Sequence, residues 1–312
     1  MRVACIVGPT ASGKSESALY IAKKYSIEII VMDSATIYRG MNIGTAKPTK
    51  EEMHCPHHLI DIRDPSEVYN ASDFRNDALR LIDEITSRNH IPLVVGGTMM
   101  YYKILREGLH ELPHSDPEVR ARIDAQAQEY GWPEIHKALK AVDPVTAARL
   151  APNDSQRISR AYEIFLISGK PMSEFLASEK NNDCEHEFCT ISLETDNREL
   201  LHQKIRERFL KMMEMGYLEE VQGLFNRGDL TEALPSIRCV GYSQLWAYIQ
   251  GKISLDEAIE KGIAATRQLA KRQFTWLRSI EDRTRIDCFS PQKNKLVLEA
   301  FENCLSVKNS RG

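Results

Sequence analysis

Long apolar runs are missing from this 312-residue chain. None approaches the ~18 residues needed to cross a bilayer, so no membrane partner is expected. Residues 1–15 lead straight into strand-like sequence and leave no room for a cleaved leader, and the expected compartment is the cytoplasm. Cysteine is sparse: seven residues (5, 55, 184, 189, 239, 288, 304), odd in number, scattered and without a C-x-x-C pair. That excludes a disulfide framework as an expectation and reads the thiols as free in a reducing compartment. Excess positive charge is also missing. The formal net charge is −3, so any nucleic-acid contact has to come from local clusters rather than general affinity. Repeats and low-complexity segments are absent. What remains is ordinary globular composition, 42% apolar and 27% charged, in a chain long enough for one large or two modest domains.

The most informative stretch is Gly8-Pro9-Thr10-Ala11-Ser12-Gly13-Lys14-Ser15, which fits G-x-x-x-x-G-K-[ST]. The two glycines let successive backbone N–H groups point into one concavity, Lys14 adds a mobile cation, and the Ser15 hydroxyl can ligate Mg²⁺ beside phosphates. The context agrees. Residues 2–7 read as a buried strand and residues 14–24 as a helix, whose N-terminus adds partial positive charge. The motif predicts a bound polyphosphate or diphosphate, and by itself specifies neither.

Further strands are predicted at 27–33, 59–62, 91–95 and 188–193, with a final one at 285–289. An amphipathic helix is predicted over 70–89, from apolar residues at 74, 78, 81, 82 and 85. Alternating strands and helices predict an α/β fold: a P-loop, NTPase-like parallel sheet with helices on both faces. Ligands of such a sheet bind at the carboxyl ends of its strands, where the 8–15 loop, Asp33 and Gly96-Gly97-Thr98 all fall. From 116 to about 179 only helical periodicity appears. The chain therefore divides into an α/β catalytic core, 1–115 and 186–312, and an all-helical insertion, 116–185. Helices follow at 198–215, 218–226 and 255–279, and the last fifteen or so residues read as a fraying helix.

Asp33, closing the second strand, could hold a metal through water or accept a proton; its other reading is a turn or cap residue. Thr98 could cap a helix or belong to the site. Two acid-poor basic runs stand out, Gln156-Arg157-Ile158-Ser159-Arg160 and 265–278 with Arg267, Lys271, Arg272 and Arg278. They are read either as solvated helix faces or as footprints of an anionic partner. His54-Cys55-Pro56-His57-His58 lacks a second ligand pair and is read as structural rather than as a metal site.

Taken together these residues resemble the bacterial tRNA dimethylallyltransferases. The resemblance covers almost the whole chain. It rests on the 8–15 loop, Asp33-Ser34 with Ile37-Tyr38-Arg39-Gly40-Met41, Ile43-Gly44-Thr45-Ala46-Lys47-Pro48, and Pro56-His57-His58-Leu59-Ile60-Asp61. It extends through Gly96-Gly97-Thr98, Gln156-Arg157-x-x-Arg160, Arg238-Cys239-Val240-Gly241-Tyr242, and Thr266-Arg267-Gln268-x-Ala270-Lys271-Arg272-Gln273-x-Thr275-Trp276. It implies transfer of a dimethylallyl group from dimethylallyl diphosphate to N6 of adenosine 37, just 3′ of the anticodon, in tRNAs reading codons that begin with U. Residues 8–15 would hold the diphosphate with Mg²⁺ on Ser15, and Asp33 would be the general base. Lys14, Thr10 and Arg208 would stabilise the departing pyrophosphate. Contacts to the anticodon stem-loop would come from Asp33, Ser34, Ala35, Thr36, Thr98 and Arg120, from Gln156, Arg157, Ile158, Ser159 and Arg160, from Arg238, Cys239, Val240, Gly241, Tyr242 and Ser243, and from Arg267 and Lys271. Ser243 stands where the family pattern leads one to expect Arg. A monomer is expected. The rival readings are a P-loop kinase, which would consume ATP with a small acceptor, and an RNA-binding NTP switch, which would form no covalent product.

Overall fold

The structure, a computed structural model, describes residues 1–178, 180 and 184–306. In chain order the strands are β1 (Arg2–Val7), β2 (Ile27–Met32), β3 (His57–His58), β4 (Ile91–Gly96), β5 (Glu187–Glu194) and β6 (Thr284–Asp287). The helices are α1 (Lys14–Ala22), α2 (Ala71–Ser87), α3 (Met99–Glu107), α4 (Pro117–Tyr130), α5 (Trp132–Val142), α6 (Pro144–Ala147), α7 (Ser155–Ser168), α8 (Met172–Ala177), α9 (Arg198–Glu214), α10 (Tyr217–Phe225), α11 (Tyr242–Ile249), α12 (Leu255–Arg278) and α13 (Lys293–Ser306). Two compact units result, one of residues 1–106 and 185–312, the other of 107–184. Among the described residues, no helix is long and apolar enough to cross a membrane.

In the first unit the six strands lie in the order β3-β2-β4-β1-β5-β6, every pair parallel. Successive β1 residues point to opposite faces. Val3, Cys5 and Val7 join a core with Phe74, Tyr102 and Phe209, whereas Ala4 and Ile6 join Ala18, Ile21, Val297 and Phe301. One face is thus covered by α2, α3 and α9 to α12, the other by α1 and α13. The register puts Val7 opposite both Gly96 and Ser192, and Gly96 opposite Met32. The carboxyl ends of β1, β2 and β4 therefore finish level, at the point where strand order reverses between β1 and β5.

Two expectations need correction. No strand forms at 59–62. The pairing segment is His57–His58, and Leu59 (φ 64°) and Asp61 (φ 55°) then turn left-handed, taking the chain out of the sheet. The cysteines are not all thiols either. A disulfide joins Cys189 of β5 to Cys304 of α13, whose Cα atoms lie 6.0 Å apart. The partners are 115 residues apart in sequence, so spacing could not reveal a pair that exists only because α13 packs back on the sheet.

His58 has a structural role. Its Nε2 lies 2.6 Å from Glu28 Oε2, which Arg88 also reaches at 2.8 Å, and His90 Nδ1 lies 2.8 Å from Oε1. Burial alone would raise the Glu28 carboxyl, but Arg88 and His58 outweigh it and hold it down at about 2. We expect Glu28→Leu to destabilise the protein by about 2–4 kcal/mol in urea unfolding, because it strips three donors of one buried acceptor. A loss below ~0.5 kcal/mol would show the cluster to be inert.

The second unit packs α4, α5 and α7 around Ile123, Ile135, Leu139, Ile158 and Ala161. Its helices start as the sequence dictates. Asp116 caps α4 by accepting from Glu118 N (2.8 Å) and Val119 N (3.3 Å), with Pro117 at the first helical position.

Candidate active site

β1 delivers the chain into the loop at Gly8. A Cβ there would lie 2.6 Å from Leu193 O, and Gly13 has φ +79°, so glycine is required for close approach at one end and a left-handed turn at the other. Lys14 Nζ donates to Gly8 O (3.0 Å) and Pro9 O (2.7 Å). Burial pushes the amine down to about 8, and Arg208 of α9 pushes the same way against the opposing pull of Asp33. Arg208 is lowered too, again by burial and against Asp33. Lys14, Arg208 and Asp33 thus form one electrostatically connected group.

Asp33 follows β2 directly. Its Oδ1 accepts from Ala35 N (2.8 Å) and Thr36 N (3.3 Å), so the turn reading holds for this oxygen. Oδ2 has no hydrogen bond among the described residues. Thr98, just beyond β4, accepts through Oγ1 from Ser34 N at 3.0 Å, while its carbonyl accepts from Tyr102 N at 3.2 Å. It caps α3 through the backbone and braces the 33–36 turn through the side chain.

These groups line one cavity of about 720 Å³. Thr10 to Ser15, Asp33 to Thr36, Thr98, Arg208, Arg238, Cys239, Val240 and Tyr242 all border it; Gly8, Pro9, Gly241, Ser243, Arg267 and Lys271 are not on the wall. Helical geometry explains the last two. Thr266, Leu269, Arg272, Gln273 and Trp276 form the face of α12 that borders the cavity, and the Arg267–Lys271–Arg278 stripe lies one step around the helix. Tyr242 is fully buried and donates to Glu220 Oε1 at 2.5 Å, and Ser243 Oγ turns back to Cys239 O at 3.4 Å.

In the helical unit, Arg120 (3.2 Å) and Arg160 (2.7 Å) both reach Glu163 Oε2, which is fully buried. Their charges are partly spent inside the unit. Arg157 is largely exposed, 3.2 Å from Asp154, and Gln156 is exposed. Ile158 (0% exposed) and Ser159 (7%) are in the core, so their side chains are unavailable to a partner. A five-residue run on a helix cannot present all its members to one side.

Two residues escaped the sequence analysis as site builders. Gln273 is buried on α12; its Oε1 accepts from Thr10 N at 2.9 Å and its Nε2 donates to Gly97 O at 2.8 Å. It ties α12 to the phosphate loop and to the end of β4 at once. Glu220 accepts from Asn42 N, Ile43 N and Gly44 N at 2.8, 2.7 and 3.1 Å, pinning the 42–47 segment, and Lys47 adds bonds to Tyr38 O and Asp61 Oδ1. We expect Gln273→Leu, similar in volume, to raise the KM for a diphosphate substrate roughly tenfold, because two backbone groups lose their partners and the loop its brace. An unchanged KM in steady-state kinetics would contradict this role.

Among the described residues, no three His, Cys, Asp or Glu side chains gather into a metal cage. The donors beside the loop, a Ser15 hydroxyl and the Asp33 carboxylate, suit a Mg²⁺ that takes most of its ligands from phosphate and water.

A parallel sheet with a G-x-x-x-x-G-K-S loop opening its first helix, and a cavity at the switch point, defines a P-loop, NTPase-like fold. The IPP transferase family model matches residues 36–280, and the chain belongs to that family. It is 53% identical over 306 residues to the tRNA dimethylallyltransferase of Bordetella pertussis, covering 97% of this chain and 98% of that one. Against the Ralstonia pickettii tRNA dimethylallyltransferase it is 54% identical over 313 residues, covering 97% and 96%. Among solved structures, the tRNA isopentenylpyrophosphate transferase of Bacillus halodurans matches with a TM-score of 0.71 and 34% identity, covering 97% of this chain and 96% of that one. A eukaryotic dimethylallyltransferase acting on tRNA matches with a TM-score of 0.78 and 28% identity, covering 92% and 74%.

The lowered Lys14 pKa makes a pH prediction. An anionic ligand binds the protonated amine, so affinity is full below about 8 and falls as pH rises past it. The KM for dimethylallyl diphosphate, whose diphosphate is already ionised above pH 7.5, is expected to rise by up to roughly tenfold between pH 7.5 and 9. A flat profile would mean that Lys14 stays charged throughout.

Proposed function

We propose that the chain prenylates tRNA by moving the dimethylallyl group of dimethylallyl diphosphate to N6 of adenosine 37. The diphosphate is held by residues 8–15. The adenine amine is a weak nucleophile because its lone pair is delocalised. It attacks C1 of the allyl group, the C1–O bond breaks, and pyrophosphate leaves. Asp33 Oδ2 takes the amine proton while Oδ1 stays fixed by the turn. Lys14, Arg208 and the Thr10 side-chain hydroxyl stabilise the charge that builds on the leaving group. Ser15 would hold a Mg²⁺ ion, which when bound would further neutralise the phosphates. The observation that carries this reading is the meeting of an unengaged Asp33 oxygen with Lys14 and Arg208 on one cavity.

The base to be modified lies in a single-stranded loop, so little stacking is lost when it enters the cavity. Thr36, whose buried Oγ1 has no partner among the described residues, and Thr98 and Arg238 border the path of that base. The helical unit contacts the anticodon stem-loop through Arg120, Gln156, Arg157 and Arg160, and Lys271 and Arg267 contact RNA backbone. The enzyme acts as a monomer in the cytoplasm, where unmodified tRNA is found. Pyrophosphate release tests the proposal. It should require tRNA and dimethylallyl diphosphate together and be indifferent to ATP. ATP consumption with a small acceptor would return the loop to kinase chemistry.

A further inference from the structure

α13 packs beside α1 and brings Lys293 against the phosphate loop. Lys293 is 9% exposed, and a Cβ on Gly13 would sit 2.5 Å from its Nζ. That Nζ donates to Glu16 Oε2 at 2.9 Å. The neighbouring Asn294 donates to Glu16 Oε1 at 2.8 Å and accepts from Ser17 Oγ at 2.8 Å. Both carboxylate oxygens of Glu16 are thus engaged from α13.

Glu16 lies in the first turn of α1, directly after Ser15. A carboxylate in that position favours the helix through its dipole. The same charge opposes a diphosphate bound at the same helix end, since like charges repel. The chain carries an acid where its ligand is an anion, and it carries the answer to that conflict on another element.

We propose that Lys293 is a positioning residue for diphosphate binding. It cancels the charge of Glu16 and, with Asn294, keeps that carboxylate turned toward α13, so the loop receives its anion without a competing one. This rests on the reading that the diphosphate occupies residues 8–15. Lys293 does not border the cavity and acts through Glu16.

The test is a sign pattern in the Kd for inorganic pyrophosphate, by titration calorimetry, and in the KM for dimethylallyl diphosphate. Lys293→Met keeps the packed stem but leaves Glu16 uncompensated, and both constants should rise about three- to tenfold. Glu16→Gln leaves Lys293 uncompensated, and both should fall by a similar factor. The double variant should return to within about twofold of the parent, and added salt should shrink every difference. A purely packing role gives the opposite result: both single variants weaken binding and the double is no better than the worse one. That outcome, or no shift in either single variant, overturns the proposal. Glu16 is exposed, so its variant is not expected to compromise folding. Lys14→Ala separates this from the underlying reading. If the parent binds no pyrophosphate, or Lys14→Ala leaves binding intact, the loop assignment itself fails. If Lys14→Ala abolishes binding while Lys293→Met and Glu16→Gln leave it unmoved, only the role of Lys293 fails.

Discussion

Replacing Asp33 with asparagine is expected to slow prenyl transfer about 10²- to 10⁴-fold, the range of a lost general base, with tRNA affinity held within about threefold. Asparagine is the informative substitution. Asp33 Oδ1 accepts from two backbone N–H groups of the 33–36 turn, and an amide oxygen can go on doing so. Asparagine cannot take a proton from the adenine amine. Alanine removes both functions, so a larger loss in Asp33→Ala than in Asp33→Asn measures the turn, and the loss common to both measures the base. Single-turnover transfer with saturating tRNA is the readout. An asparagine variant turning over at near-parental rate would remove Asp33 from the chemistry and leave it a turn residue.

Lys14→Met is expected to lower kcat/KM for dimethylallyl diphosphate by about 10²- to 10³-fold, the cost of removing one preorganised charge from a departing anion. The same substitution should raise thermal stability. Burial holds the amine down at about 8 in the folded protein, against an ordinary 10.5. A folded-state pKa below the unfolded one means that the charged form is disfavoured by folding. The penalty is present below about 8 and is relieved as pH rises from there toward 10.5. At neutral pH methionine, with similar length and no charge, escapes it. Activity lost with stability gained is the mark of a group kept for function. A simultaneous fall in melting temperature would instead make Lys14 a structural anchor of Gly8 and Pro9.

How much of this was legible in the chain depends on the range of each interaction. The loop, its strand and its helix are contiguous, so local chemistry named them. Asp33 and Thr98 were legible as strand ends, because alternating strands and helices put every such end on one edge. Gln273 was not legible as a brace. Its two partners, Thr10 and Gly97, are 263 and 176 residues away, and a glutamine on a basic helix carries no local signal of burial. Glu220 was hidden for the same reason, although the glycine it helps seat was visible: a Cβ on Gly44 would collide with the Tyr217 ring. Ile158 and Ser159 show the opposite error. A sequence run treats neighbours alike, whereas the helix turns them into the core. The basic residues of that run are divided as well, since Glu163 draws Arg120 and Arg160 inward and Arg157 stays outside.

The central claim is that one cavity brings the diphosphate of an allylic donor and an anticodon-loop adenine together. It is tested most directly by incubating the protein with Mg²⁺, dimethylallyl diphosphate and unmodified tRNA, digesting the RNA, and weighing its nucleosides. The account predicts one adenosine per tRNA heavier by a dimethylallyl group, at the base 3′ of the anticodon, and its absence with Asp33→Asn. Unmodified nucleosides from the parental enzyme, or a mass gain at another base, would contradict it.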